Sequence, residues 1–376
     1  MITLHIDTAR SWRGGQSQVL HTVLGLREQG HRAALVAHPQ GELARRAAEG
    51  TDVYRLAPAH EVDFGAAFRL ARVLKDVQPA VVHAHDPHAV SFAAMALSLM
   101  GRAPRPALVA ARRVDFHLKR NAFSRWKYSL VDAMIASSEA IRGIVITDGF
   151  PAERVITVHE GIDVDRVAAQ PPIDLHKELW LPGGSPIVGN VAALVPHKGQ
   201  RYLIDAAALV FRERPDVQFL VFGEGELRKP LQYQIRHLGL ERHVQLVGFR
   251  TDVLSCVRGF DVFVLSSVTE GLGTSLLDAM ALARPVVATT AGGIPEVAED
   301  GVTGLLVPPQ HGGPLAEAIL ALLADPPRRR QMGEAGLARV RARFTARRMV
   351  EETMIVYERV AGRPHASDTA SPPPSS

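Results

Sequence analysis

The chain has 376 residues, 47% of them hydrophobic and 22% charged, with 43 Lys plus Arg against 39 Asp plus Glu for a formal charge of +4. That length exceeds what one hydrophobic core usually serves and favours two domains. The balance excludes a disordered chain and a membrane bundle, while its mild basic excess favours anionic ligands without identifying one.

The opening stretch MITLHIDTAR carries an acid and no long apolar core, so it reads as a first strand rather than a signal peptide. The longest apolar stretch, Ala89 to Met100, is too short to span a bilayer. The single cysteine, Cys256, cannot form an internal disulfide and is expected as a buried small hydrophobe in a reducing compartment. A cytoplasmic protein is the expectation.

Short β-branched runs, AALVA and AVVHAH, then ALVAA and AMIASS, alternate with helical patterns over Gln18–Gln29 and Phe64–Val77. That rhythm predicts βαβ units and a parallel sheet. From Ala168 to Pro186 the periodicity lapses over four prolines and two adjacent glycines, the expected interdomain linker. Beyond it PIVGNVA, QFLVFG, HVQLVG, DVFVLSS and PVVAT predict five further strands, with helices from Gly199 and Leu227, at DVLSCV and at SLLDAMAL. The expected class is α/β, two doubly wound domains facing a cleft, over 1–167 and 187–345. Two helical stretches follow, Pro314–Ala324 and roughly Arg328–Val360, the last part of which, 346–362, is expected to pack back on the first domain. Residues 363–376 are low in complexity and expected to be disordered.

Four strand-to-helix turns concentrate the chemistry. In TEGLGTSLLDAM, Glu270 precedes a glycine loop in which Gly271 and Gly273 permit close backbone approach, and the amides opening the next helix suit a phosphate or diphosphate. Ser275 and Asp278 match capping-box spacing, so Asp278 has both a structural and a functional reading. GNVAALVPHKGQ puts Lys198 at a second such edge, where an ammonium could neutralise a phosphate leaving group. In VFGEGEL, Gly223 and Gly225 begin a dinucleotide fingerprint, but Arg228 occupies the third glycine's place, which disfavours such a cofactor. Gly292 and Gly293 in TAGGIPEV again suit close backbone approach.

Together with HKG, the run SSVTEGLGTSLLDAMALARPVVATTAGGIPEVAEDGVTGLLVPP closely resembles the retaining glycosyltransferases of family 4, which have the GT-B fold. The likeness is strongest from Ile187 to Pro309 and weaker in the first half, through RGGQSQV, VVHAHDP and VITVHEGID. The resemblance implies that Glu270 lies near the transferred sugar and that Asp278, an aspartate where the family has a second Glu, meets the ribose. Gly271, Leu272, Gly273, Thr274 and Ser275 would bind the diphosphate, with Gly14 and Gly15 near the donor phosphates. GFRTD, with Phe249 and Arg250, resembles the nucleobase-binding turn. Lys198 matches the second member of the family's basic pair, whereas Ala193 stands in place of the arginine; Arg228, Arg201 and Arg13 are candidate substitutes. A glycine usual before PVV is Ala283 here, a change the turn can accommodate.

In the first domain His83 and His85 lie two apart on one strand face, with Asp86 and His88 close by. That pattern could bind a metal, but the family relies on no catalytic metal, so His85 is expected as a sugar or acceptor contact and no metal is expected. Arg112 and Arg113 replace a histidine common in the family and could receive an acidic acceptor. From Arg112 to Lys127 six basic residues face one acid, with Phe116, Phe123 and Trp126 interleaved, a composition suited to an anionic membrane surface, the inner face of the cell membrane, or a phosphorylated lipid. No nucleic-acid motif accompanies it.

These features imply a retaining transferase moving a hexose-type sugar from a UDP- or GDP-sugar to a cell-envelope lipid, lipopolysaccharide-core or polysaccharide acceptor. A sugar-nucleotide epimerase, a sugar phosphorylase, or a non-catalytic nucleotide-sugar-binding partner are the alternatives.

Overall fold

The computed structural model describes residues 1–101 and 105–362; the expected disordered tail, 363–376, lies outside them. The chain divides into two units, one of Met1–Ser137, Ile141–His159 and the chain from Ala346, the other of Ser138–Ala140 and Glu160–Thr345.

The first unit is built on seven strands, β1 (Ile2–Asp7), β2 (Arg32–Ala37), β3 (Asp52–Arg55), β4 (Val81–Ala84), β5 (Ala107–Arg112), β6 (Ala133–Ala136) and β7 (Val155–Thr157), in the order β3-β2-β1-β4-β5-β6-β7. The second has six, β8 (Ile187–Val191), β9 (Gln218–Phe222), β10 (Val244–Gly248), β11 (Val262–Leu265), β12 (Val286–Thr289) and β13 (Gly304–Val307), ordered β10-β9-β8-β11-β12-β13. Every pairing is parallel. Each sheet therefore has a point where the chain reverses its direction of winding, β1 beside β4 and β8 beside β11.

Strands covered on both faces read as continuous apolar runs. In β11 the alternation assigns Phe263 and Leu265 to one core, with Phe222, Leu272 and Leu276, and Val262 and Val264 to another, with Leu203, Phe219 and Leu315. At Gly189 a Cβ would stand 2.0 Å from the Phe260 ring, so the strand centre passes directly over an aromatic face.

Three expectations need correction. The stretch 168–186 is not a free linker: Leu175 and Leu181 are buried in the second unit's core with Val257 and Phe260, and the unit begins at Glu160. The long terminal helix is two, Pro326–Arg343 and Ala346–Ala361, interrupted where Phe344 leaves helical geometry and buries its ring in the second unit. The first helix spans Gly14–Glu28, starting four residues before the expected Gln18.

The helix Ala346–Ala361 packs within the first unit, as expected. Tyr357 is fully buried, and Gly25 lets the two helices approach so closely that a Cβ there would meet the Val350 side chain at 2.7 Å. Among the described residues no helix is long and apolar enough to cross a membrane.

Ala283, in the family's glycine position, has φ +54°, and its carbonyl abuts Gly333 of the following helical layer. A side chain in the left-handed region costs roughly 1–2 kcal/mol, offset in part by the freedom glycine has in the unfolded chain. Ala283→Gly is expected to stabilise the second unit by about 0.5–1 kcal/mol, measured as a higher denaturation midpoint in urea.

Candidate functional site

In the second unit the loops after β8 and β11, the two strands flanking the switch point, converge. That is where an open parallel sheet presents ligands beyond its strand ends. The chain leaving β8 makes the turn Pro196–Lys198, and Gly199, at φ +65°, redirects it into the helix Gln200–Glu213. A Cβ on Gly199 would stand 2.1 Å from the Ser266 carbonyl oxygen, so the two loops touch main chain to main chain. Val268 N–H donates to the His197 carbonyl at 2.8 Å, and Ser266 Oγ to the Lys198 carbonyl at 3.2 Å.

This lacing brings Lys198 Nζ to 2.6 Å from Glu270 Oε2. Ser267 Oγ donates to the same oxygen at 2.9 Å. The side chains of Lys198 and Glu270 are 21% and 10% exposed, so water screens the pair less than it screens a surface ion pair. The turn after β12 supports the acid from behind. A Cβ on Gly292 would lie 1.8 Å from the Glu270 carbonyl oxygen and one on Gly293 2.3 Å from that of Gly271, while Gly293 N–H donates to the Glu270 main-chain carbonyl at 3.2 Å. Both glycines are needed for contact, as the sequence led us to expect.

Gly273, at φ +94°, caps the helix Thr274–Ala281 without a side-chain hydrogen bond. Leu276 N–H turns back to the Gly273 carbonyl at 2.9 Å, so the N–H groups of Thr274 and Ser275 are those left to whatever lies ahead of the helix. This removes the capping-box reading of Ser275 and Asp278, because the cap falls two residues before Ser275. Asp278 is half-buried, and its carboxyl has no hydrogen bond or ion pair among the described residues; burial pushes its pKa up to about 7. A carboxyl held this way is open to a partner that can donate to it.

The turn after β9 explains Gly223 and Gly225. Cβ atoms there would stand 2.0 Å from the Ala192 carbonyl oxygen and 2.3 Å from that of Leu194, and Leu194 N–H donates to the Glu224 main-chain carbonyl at 3.0 Å. Arg228 thus opens its helix beside the loop that carries Ala193, with its guanidinium on Glu224 and the Leu246 carbonyl, each at 3.0 Å. Arg201 instead stacks over Tyr202, 5.2 Å from the ring centre, and is exposed. In the expected nucleobase turn Phe249 is 65% exposed, whereas Arg250 is committed to Asp252 and Glu178, whose carboxylates hold it charged.

The first unit departs further from expectation. Gly14 and Gly15, expected near the donor phosphates, are the first residues of the helix Gly14–Glu28. His85 is buried with both ring nitrogens engaged: Arg113 Nη2 lies 3.2 Å from Nδ1, and Nε2 lies 3.0 Å from His5 Nδ1. As it stands, the ring has no free nitrogen for a sugar. Arg113 also donates to the His85 carbonyl, and Arg112 is buried, donating to the Phe116 carbonyl of its own loop. Arg112 is thus enclosed and committed to its own loop, whereas Arg113 is half-buried and engaged with His85. Asp86 accepts from Thr8, His88 and Ala89 and caps a helix.

His5, which sequence inspection overlooked, joins His83 and His85 in a buried cluster whose ligand atoms lie within 4.8 Å of one another. Hydrogen bonding opposes a metal there. A guanidinium only donates, so His85 Nδ1 accepts and Nε2 carries the proton toward His5 Nδ1; His5 Nε2 then donates to Thr3 Oγ1 at 3.1 Å. Burial holds all three rings neutral, with His5 pushed down to about 3. Also unforeseen are Ser267 and Asp7, a buried acid raised to about 6 chiefly by burial, then by Asp86.

Two family descriptions match the chain: "Glycosyltransferase Family 4" over residues 12–166 and "Glycosyl transferases group 1" over 173–339. The chain belongs to glycosyltransferase family 4. The putative glycosyltransferase EpsD of Bacillus subtilis is 28% identical over 77% of this chain and 79% of its own length. The alpha-maltose-1-phosphate synthase of Mycolicibacterium smegmatis is 37% identical over 61% of this chain and 64% of its own. Among solved structures, Anabaena HepE in complex with UDP-glucose superposes with a TM-score of 0.83 at 23% identity, covering 96% of this chain and 100% of that one. The fold is thus the GT-B fold of family 4, and its second unit carries the Lys198–Glu270 pair.

Asp278 has a consequence for stability. Its folded pKa, about 7, lies above the ordinary 3.8, so between those values the folded state holds a proton that the unfolded chain releases, and the contribution to stability falls as pH rises through that window. Asp278→Asn is expected to be more stable than the parent by about 1–2 kcal/mol at pH 8, the shift being tempered by partial solvent contact, with the difference fading toward pH 4 in urea titrations.

Proposed function

We propose that this family 4 enzyme transfers a sugar, with retention, from a nucleotide-diphosphate sugar to a cell-envelope glycan or lipid-linked acceptor. The observation that carries the reading is the 2.6 Å approach of Lys198 Nζ to Glu270 at the switch point of the second sheet, ahead of a helix opened by Gly273. An ammonium beside free helix amides is suited to stabilise charge developing on a departing diphosphate, and the acid next to it is suited to the sugar. Asp278, without a partner and one turn into that helix, is suited to accept from a ribose hydroxyl. Arg228 is our choice to stand in for the arginine absent at Ala193, because its turn is bound to that loop, leaving Arg13 and Arg201 as the less favoured candidates.

Solved relatives support a nucleotide donor: HepE has been crystallised with UDP and with UDP-glucose. A relative from Corynebacterium glutamicum, 34% identical over 49% of this chain, is described as a GDP-mannose-dependent mannosyltransferase acting on a phosphatidylinositol mannoside, so the base is left as uridine or guanosine. In the reaction the anomeric carbon–oxygen bond to the diphosphate breaks, and the acceptor oxygen bonds that carbon on the same face. The diphosphate leaves with the electron pair, and the acceptor proton goes to its oxygen.

Turnover with a panel of labelled nucleotide sugars tests this. Lys198→Ala and Glu270→Gln are each expected to lower kcat by about a hundredfold or more, with the fold retained by circular dichroism. Near-parental rates in both would remove the mechanism, and isomerised donor without transfer would reassign the chain to an epimerase.

A further inference from the structure

The basic and aromatic stretch singled out in the sequence builds a cavity of its own. It has a volume of about 510 Å³ and lies between the loop 118–120, the helix Ala122–Ser129 and the turn 148–154. Phe150, buried, and Tyr128, half-buried, form its apolar part. Lys119, Arg120, Arg125 and Arg154 line the remainder, and none of these four side chains makes a hydrogen bond or ion pair with a described residue. The one acid in the lining, Asp148, is already engaged: its carboxylate accepts from Leu118 N–H and lies against His117 Nδ1, both at 2.7 Å, and its side chain is 1% exposed. Four cations therefore line one concave surface whose single carboxylate, Asp148, is held low, against the effect of its burial, by its own hydrogen bonds, by His117 and by Arg120, so positive charge is in excess there.

The turn 148–151 leads into the amino end of β7, whereas His85 and Arg113 follow the carboxyl ends of β4 and β5. The other wall, residues 118–120, belongs to the loop that follows β5, and Leu118 N–H ties that loop to the turn through Asp148. In the same stretch two aromatic rings remain outside the core, Phe116 at 61% exposure, two residues before Leu118, and Trp126 at 37%, next in sequence to Arg125. Cations that can reach a phosphate, with exposed aromatic rings in the same stretch of chain, are the chemistry of a protein resting on an anionic bilayer.

We propose that this cavity binds the phosphate headgroup of an anionic membrane lipid, with Phe116 and Trp126 entering the interface around it. The lipid here is an anchor and not the acceptor of the sugar, so the inference stands apart from the transfer reaction.

Co-sedimentation of the full chain with vesicles of phosphatidylglycerol in phosphatidylcholine, compared with phosphatidylcholine alone, tests it. The protein is expected to partition onto the anionic vesicles, and Arg120→Ala/Arg125→Ala/Arg154→Ala to lower that partition at least about tenfold, while the corresponding Lys variant stays within about threefold of the parent. Arg125→Glu, a single change on an exposed helix face, gives the same readout should the triple variant misfold. Equal partition onto neutral vesicles, binding of Arg125→Glu at the parental level, or release of the protein by inorganic phosphate at constant ionic strength would each overturn the proposal, the last by assigning the cavity to a free phosphate.

Discussion

The second unit's site depends on main-chain contact between three loops. Lys198 and Glu270 are 72 residues apart, and neither belongs to a regular element that could aim it alone. What aims them is the adjacency of β8 and β11, which delivers their following loops to one place, and the glycines that let those loops press carbonyl against α-carbon. The short ammonium–carboxylate contact is a result of that packing rather than its cause. A side-chain ion pair contributes modestly, while the hydrogen bonds of Val268, Ser266 and Gly293 set the frame in which it forms.

Much of this was legible before any coordinates. The apolar runs of β8, β9, β11 and β12 announced a doubly wound sheet because strands buried on both faces have little polar sequence to confuse the pattern. The glycine turns were legible for a related reason: only a residue without a Cβ allows such approach, and Gly223, Gly225, Gly292 and Gly293 all serve it. What escaped pattern reading lies at the margins. β3, β7 and β13 are sheet edges of three or four residues, each paired on one side only, and their burial is too partial to print an alternation. The terminal break at Phe344 was missed because the helical composition continues through it, and the interruption is decided by where that ring is buried.

The histidines show a different limit. His83, in β4, and His85, just past its end, do bring their rings together, 3.9 Å between centres, but the partners around them come from far away: Tyr357, 274 residues from His83, places its hydroxyl 2.6 Å from Nδ1, and His5 arrives from the neighbouring strand. Local sequence offers imidazoles in a row and no means of telling a solvated cluster from a desolvated one. Once they are covered, Arg113 fixes the direction of every proton in the chain from His85 to Thr3, and chemistry that looked available to a ligand is used up in holding the first unit together.

The glycine clamp also bears on how such a protein can diversify. Positions 199, 223, 225 and 292 each face a carbonyl oxygen at 1.8–2.3 Å from where a Cβ would sit, so the inner contour is cast in atoms shared by all amino acids and no ordinary replacement can reshape it. Variation is channelled outward, to rim side chains such as Phe249 that overhang without being wedged. New sugar or base preferences can then accumulate around a mould that itself stays put.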